Sequence, residues 1–179
     1  LKLVNYTSSF LFGPPGTGKT TTLGVLLAEY LQLNPRARVL LLSTTNLAVD
    51  QATVAVDKAL ESAGREAIRR RVKRLGSRIV ASHYMGREHL LPVHDRELIA
   101  TLARLETQSP PTSDVTAFNA WKDQVEALRQ KLHAESILVL RNARLVCMTT
   151  TRAAFTLSDL RLLPVFDLVV FDEASQVGS

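Results

Sequence analysis

Apolar positions along the chain follow two spacings, one typical of amphipathic helices and the other of buried strands. After residue 18 the apolar side chains recur three or four positions apart, which predicts a helix with one apolar stripe; they are Leu23, Leu26, Leu27, Tyr30 and Leu31. An uninterrupted apolar run at 39–42 instead predicts a strand covered by helices on both faces, and the apolar segments at 145–148 and 165–171 predict further strands of the same sheet. This alternation predicts an α/β domain with a parallel sheet.

The remaining segments predict further helices and one uncertain strand. A helix is expected over 46–63 with Gly64 as its stop, and a basic strand over 70–75. Within that strand Val72 and Leu75 cannot both point inward unless a bulge or a helical turn intervenes, so its register stays open. Two helices separated by a turn at 109–114 lead us to interpret 85–135 as a helical insertion. Trp121 within it is expected to be a core anchor rather than a platform for a base.

Composition narrows the class of protein. A chain of 179 residues with 46% hydrophobic content fits one globular domain. The single cysteine, Cys147, lies in an apolar run and is expected to fill core space. No apolar run approaches the roughly 20 residues of a membrane-spanning helix, and no signal-peptide pattern is seen. We therefore expect a cytoplasmic or nuclear protein without a membrane partner.

The basic balance favours a polyanionic partner. The net charge is +5, and seven arginine and lysine residues fall between positions 65 and 78. Charge alone does not separate nucleic acid from an acidic protein or a membrane surface. A cationic run is usually a solvated face, so contact with nucleic acid and simple solvation are both kept open for this segment.

A glycine-rich segment matches the phosphate-binding loop G-x-x-x-x-G-K-[ST], with a predicted strand at 7–12 before it and a helix after it. Its backbone N–H groups would surround phosphates, Lys19 would reach the β and γ phosphates of ATP, and the Thr20 hydroxyl would bind Mg²⁺. The expected nucleotide-binding residues are Gly13, Pro14, Pro15, Gly16, Thr17, Gly18, Lys19, Thr20 and Thr21.

An acidic pair follows the last predicted strand. Asp172 and Glu173 would stand at the carboxyl edge of the sheet, where ligands of α/β proteins bind. We expect Asp172 to be the second Mg²⁺ partner and Glu173 to be the general base that activates water. A solvated turn is the alternative for an isolated acidic pair, but the phosphate loop upstream favours the catalytic interpretation.

Three segments together resemble superfamily 1 helicases. They are the phosphate loop, S-T-T-N-L-A-V-D-Q at 43–51, which resembles motif Ia, and D-E-A-S-Q at 172–176, which resembles motif II. They are most similar to the branch with the RNA-surveillance helicases and senataxin. The strand at 145–151 is similar to the one ending in motif Ic. The resemblance implies a RecA-like P-loop NTPase fold, with 1–179 as the first ATP-binding lobe and 85–135 as its helical insertion.

The resemblance also implies further sites and partners. Gln176 would sense the γ-phosphate, and a single strand of DNA or RNA would cross the lobe. The positions expected to contact that strand are Thr45, Asn46, Ser77, Arg78, Thr149 and Thr150. For Thr45 and Asn46 a helix N-cap role is the competing interpretation. A second RecA-like lobe of the full-length chain would supply arginine fingers, so these 179 residues alone are expected to hydrolyse ATP slowly.

Two function classes remain compatible with the sequence. The first is a motor that steps along single-stranded nucleic acid, with 5′ to 3′ travel implied by the resemblance. The second is a nucleotide-gated module that grips nucleic acid or a protein without opening a duplex. A GTPase or small-molecule kinase is disfavoured because the guanine signature N-K-x-D is absent from the sequence.

Overall fold

The computed structural model describes residues 16–76, 81–92 and 96–173. Within these ranges four strands form one sheet in the order β2-β3-β1-β4, and every pairing is parallel. The strands are β1 (Val39–Ser43), β2 (Val72–Arg74), β3 (Leu145–Thr149) and β4 (Leu168–Phe171). The predicted α/β class with a parallel sheet is confirmed, and the predicted strand at 7–12 lies outside the described residues.

Helices connect the strands and cover both faces of the sheet. They are α1 (Lys19–Leu33), α2 (Asn46–Ser62), α3 (Glu66–Arg69), α4 (Arg96–Thr107), α5 (Val115–Asn142), α6 (Thr150–Phe155) and α7 (Leu157–Arg161). Short 3₁₀ turns occupy Ala81–Tyr84 and Glu88–Leu90. No helix in the described part of the chain combines the length and the apolar character needed to cross a lipid bilayer.

The sheet is buried on both faces because successive strand side chains point in opposite directions. Val39 and Leu41 of β1 belong to one core cluster with residues of α1 and α2. Leu40 and Leu42 belong to a second cluster, which the end of α5 and Leu163 complete. All five residues of β1 are buried, as expected of a strand between two helical layers.

The two core clusters also resolve the register of the basic strand. Val72 is fully buried in the first cluster, whereas Leu75 packs against the second. Because both faces of the sheet are covered, these side chains point to opposite faces and both are shielded. A bulge is therefore unnecessary. The strand is shorter than the predicted range of 70–75, because only Val72–Arg74 pair with β3. Residues 66–69, which precede it, form α3.

The helices α1 and α2 approach each other closely at one glycine. A Cβ atom on Gly24 would lie 2.7 Å from the backbone carbon of Ala55, a distance that real contacts do not reach. Only a residue without a side chain therefore permits this packing. The contact fixes α1, which begins at Lys19, against α2 and the sheet.

The segment between β2 and β3 is largely helical. The Trp121 indole donates a hydrogen bond from Nε1 to the Leu105 carbonyl, with an N···O distance of 2.7 Å, and its ring lies 5.4 Å from that of Phe118. Trp121 thus joins α5 to the end of α4 while remaining partly buried, so it anchors two helices to each other rather than filling the core under the sheet. Leu90, inside the predicted insertion, is fully buried in the first core cluster. Helix α5 continues past the predicted insertion to Asn142.

The last strand is shorter than the apolar run that predicted it. β4 begins at Leu168, whereas Val165 is 84% exposed. The Arg38 guanidinium donates a hydrogen bond to the Pro164 carbonyl, and the Arg38 backbone N–H donates to the Asp167 carboxylate. These contacts hold residues 164–166 as a connection before the ladder, which begins where the Asp167 N–H donates to the Arg38 carbonyl at 2.8 Å.

Candidate nucleotide site

The carboxyl ends of the strands bring the predicted site residues to one edge of the sheet. Thr44 follows β1, Thr149 ends β3, and Asp172 follows β4. The Asp172 N–H donates to the Leu42 carbonyl at 2.8 Å, which extends the ladder between β1 and β4 by one bond. Because the strands are parallel, these residues share the edge at which α/β proteins bind ligands.

The described part of the phosphate loop leads directly into α1. Gly16 and Gly18 have φ angles of 79° and 80°, which side-chain-bearing residues rarely adopt. Among the described residues, chain neighbours aside, no atom lies within 4 Å of a Cβ placed on either glycine, so the positive φ is what requires them. Gly18 is the N-cap of α1, and within the described part of the chain no side chain caps that end. The N-terminus of α1, the positive end of its dipole, therefore lies at the described part of the loop.

Asp172 is partly buried and Glu173 is exposed, and the pKa of Asp172 reports on its neighbours. Burial raises the pKa of Asp172, and the Glu173 carboxylate raises it further. The Glu173 N–H, which donates to Asp172 Oδ1 at 3.1 Å, and the positive charge of Lys19 lower the same pKa. The charge of Lys19 therefore acts on Asp172, which links the start of α1 electrostatically to the end of β4.

Glu173 has an unusual backbone conformation. Its φ is 57°, in the left-handed region that costs a residue with a side chain on the order of 1 kcal/mol. The turn carries its carboxylate off the strand axis, where the Thr44 hydroxyl donates to Oε2 at 3.3 Å. Thr44 was not among the predicted site residues. Its position directly after a buried strand was the available sequence signal.

The residues present fit a hydrated magnesium ion. Mg²⁺ prefers hard oxygen ligands, and the Thr20 hydroxyl and the Asp172 carboxylate provide this chemistry. Thr20 is the second residue of α1 and is partly exposed. Asp172 interacts electrostatically with Lys19, which directly precedes Thr20. Among the described residues no larger cluster of histidine, cysteine, aspartate and glutamate is suited to a metal.

Several predicted site residues fall outside the described ranges. These are Gly13, Pro14, Pro15, Ser77, Arg78 and Gln176. The structure describes the remaining nucleotide and nucleic-acid positions, all near the carboxyl edge of the sheet or at the start of α1.

The four predicted nucleic-acid positions that lie within the described residues divide into two helix caps and two first-turn residues. Thr45 caps α2 by accepting from the Ala48 N–H at 3.1 Å, and Thr149 caps α6 by accepting from the Arg152 N–H at 3.2 Å. Each hydroxyl keeps its own hydrogen as a donor. Asn46 and Thr150 are the first residues of the two helices. Thr45, not Asn46, therefore fills the N-cap role.

The basic run at 65–78 is engaged mainly in the fold. Arg69 binds Asp57, Arg70 binds Glu66, and Arg74 binds Asp50. Arg71 and Lys73 donate to the backbone carbonyls of Asn142 and His89. The side chains of Asp50, Asp57 and Arg74 are fully buried. Within the described part of the run, Arg69 and Arg74 are thus neutralised by carboxylates distant in sequence, and Arg71 and Lys73 are held by backbone carbonyls.

Comparisons with known proteins agree with this geometry. A family model described as an AAA domain matches residues 2–179. The mouse protein named DNA-binding protein SMUBP-2 is 26% identical over 181 residues, which cover 94% of this chain and 17% of the mouse protein. The yeast (Saccharomyces cerevisiae) protein named DNA polymerase alpha-associated DNA helicase A is 43% identical over 47 residues, 26% of this chain and 7% of its own length. The chain thus spans a small part of either relative.

Proposed function

Since the chain belongs to the AAA domain family, with relatives among the superfamily 1 helicases, we propose that it is the ATP-binding and ATP-hydrolysing motor lobe of a DNA or RNA helicase or translocase. The observation that carries the proposal is the electrostatic interaction of Lys19, at the start of α1, with Asp172, which follows β4 at the carboxyl edge of the sheet. A phosphate-binding lysine and a magnesium-binding carboxylate must share one triphosphate, and this interaction supports those two roles.

Each side chain then has a distinct task toward the nucleotide. The N-terminus of α1 and Lys19 would hold the β and γ phosphates, and Thr20 and Asp172 would hold Mg²⁺. When bound, Mg²⁺ offsets the negative charge of the phosphates. Glu173 would orient a water and accept its proton, with its carboxylate held by the Thr44 hydroxyl. Gln176 is proposed to sense the γ-phosphate.

Nucleic acid is proposed to cross the same edge of the lobe. Hydroxyl and amide donors at strand-to-helix junctions bind phosphates without reading the bases. We assign this role to Thr45, Asn46, Ser77, Arg78, Thr149 and Thr150. A second RecA-like lobe of the full-length protein is the proposed source of the arginine fingers, and 85–135 is proposed to be a helical insertion in a lobe spanning 1–179.

The test is an ATPase assay of the full-length protein with and without single-stranded DNA and RNA. We expect hydrolysis that requires Mg²⁺ and is stimulated by at least one of the two strands. A tailed duplex then separates a motor from a nucleotide-gated clamp, because only a motor displaces the paired strand. Absence of ATP binding by the full-length protein would overturn the proposal.

A further inference from the structure

A buried arginine reaches from the second strand to the start of α2. The fully buried Arg74 guanidinium donates from Nε to Asp50 Oδ1 at 2.7 Å and from Nη2 to Asn46 Oδ1 at 2.9 Å. It also donates to the Leu75 carbonyl. Asn46 and Asp50 are one helical turn apart on α2 and so share a face, which allows one guanidinium to bind both.

Other residues fix the position of this guanidinium. The Tyr84 hydroxyl donates to the same Asp50 oxygen at 2.7 Å. Burial, followed by this hydrogen bond, raises the pKa of Tyr84, so that it remains a donor. Gly76 has a φ of 133°, and a Cβ there would lie 2.7 Å from Arg74 Nη1. The network therefore has little freedom to move.

The chemistry of the guanidinium determines how the Asn46 amide is turned. Arginine carries only N–H donors, so the amide must face it with its oxygen. The Nδ2 group, on the other side of the amide carbon, is then directed away from Arg74. Asn46 is only partly buried, and Thr45 already caps the helix. The amide is thus held as a donor at the edge of the sheet.

We infer that Arg74 is a positioning residue for nucleic-acid binding, which it serves by holding the Asn46 amide with its N–H donors toward the phosphates of a single strand. The inference rests on the proposed function and deepens it. The inference gives a role to Arg74, a cation of the basic run that does not itself contact the nucleic-acid strand. It also couples β2 and the turn at Ala81–Tyr84 to the start of α2.

The chain offers a matched control for this role. Asp57 lies two turns further along α2, is fully buried like Asp50, and binds Arg69 with an Nε–Oδ1 distance of 2.7 Å. Arg69 and Arg74 therefore form similar buried ion pairs with one helix. Only Arg74 also reaches the first residue of that helix.

The experiment measures the affinity of the full-length protein for labelled oligo-dT and oligo-U by fluorescence anisotropy. We expect Asn46→Ala and Arg74→Lys each to weaken binding by about tenfold to a hundredfold, the range of one hydrogen bond to a charged group. The double variant should bind as Asn46→Ala does, because Arg74 acts through Asn46. Arg69→Lys should keep the wild-type affinity. Effects of Asn46→Ala and Arg74→Lys that multiply would overturn the inference.

A variant that does not disturb the buried charges provides the second test. Asn46→Asp keeps an oxygen for Arg74 and places a carboxylate in the first turn of α2, which the helix dipole favours. It removes the outward donor and sets a negative charge toward the phosphates, so binding should weaken by more than in Asn46→Ala. Wild-type affinity in Asn46→Asp would overturn this inference but not the proposed nucleic-acid function. Failure of the unaltered protein to bind either strand would instead overturn the proposed nucleic-acid function.

Discussion

At the proposed nucleotide site, single residues hold their charges at defined positions. Lys19 begins α1 behind two glycines with positive φ, and Asp172 extends the ladder of β4 by one hydrogen bond. Glu173 adopts a left-handed conformation that directs its carboxylate to Thr44. Backbone strain of this kind persists where the surrounding structure requires the geometry. The site is therefore best tested by changes that alter charge while preserving shape.

Replacement of Lys19 by alanine should abolish nucleotide binding, because the cation that offsets the phosphate charge is lost. Isothermal titration of the full-length protein with a non-hydrolysable ATP analogue checks this expectation. Lys58→Ala, which removes an exposed lysine from α2, is the control and should leave the affinity unchanged. Retention of normal affinity by Lys19→Ala would remove the phosphate-loop assignment.

Glu173→Gln should keep ATP bound while hydrolysis falls by about 10²- to 10⁴-fold, the usual contribution of a general base. The neutral amide is nearly the same size, but it does not accept the proton of water. Steady-state ATPase rates and nucleotide affinity are measured together. The exposed Glu29→Gln on α1 serves for comparison, and normal turnover in Glu173→Gln would refute the assigned role.

The thiol of Cys147 should be inert in the native protein. Burial raises its pKa to about 12 from an ordinary value of 9.0, so the reactive thiolate is scarce at neutral pH. Alkylation followed by mass spectrometry of the Cys147 peptide should show slow labelling without urea and fast labelling with it. Because the folded state holds the proton more tightly, stability should also fall as pH rises from about 9 toward 12. Cys147→Ala should lack this contribution, and rapid native labelling would contradict the burial.

At the scale of elements, buried arginines join the ends of helices to the sheet. Arg38 donates from Nη2 to the Leu140 carbonyl and from Nε to the Ala143 carbonyl at the end of α5, with distances of 2.8 and 3.1 Å. Arg144 donates to the Leu31 carbonyl of α1 at 2.7 Å. The last carbonyls of a helix lack partners within it, and a cation there complements the helix dipole. These contacts attach α1 and α5 to the amino edge of the sheet, opposite the nucleotide site.

The contact between α1 and α2 should not tolerate a methyl group. Gly24→Ala should lower the free energy of unfolding by about 1–3 kcal/mol, as overpacking does, even though alanine is the better helix former. Urea denaturation followed by circular dichroism measures the change. Glu29→Ala, on an exposed position of the same helix, should have little effect. A Gly24→Ala protein more stable than the parent would show that the helices do not approach so closely.

The net charge of the whole molecule does not describe how charge is distributed over its surface. The chain carries +5, but buried pairs such as Arg69 with Asp57 and Arg74 with Asp50 contribute nothing to a basic surface. Exposed cations such as Arg70 and Arg129 and the donors at the carboxyl edge remain available to a polyanion. Affinity for nucleic acid should therefore come from a few phosphate contacts.

Binding of single strands by the full-length protein should weaken steeply between about 50 and 200 mM salt, since each phosphate contact releases counterions. For single strands the slope of log affinity against log salt is about −0.7 per phosphate contact. Anisotropy titrations at several salt concentrations measure it. An oligomer with an uncharged backbone is the control and should bind weakly at every salt concentration. A flat response with the natural strand would argue against phosphate contacts.

The local features of this protein follow from short stretches of its sequence. Apolar spacing located α1, α2, β1 and β3 because helix and strand periods are properties of short segments. The phosphate loop and the acidic pair were recognisable because their chemistry requires particular residues in a fixed order. Gly64, with a φ of 66° after α2, and buried Cys147 were predicted for the same local reasons.

Contacts between residues distant in sequence arise from the packing of the strands and helices. The electrostatic interaction of Lys19 with Asp172, the opposite faces taken by Val72 and Leu75, and the pairing of Arg74 with Asp50 and Asn46 all depend on strand order and on helices packing over both faces. Local patterns carry no information on these contacts, because a charged side chain has the same sequence context whether it is solvated or buried beside a partner.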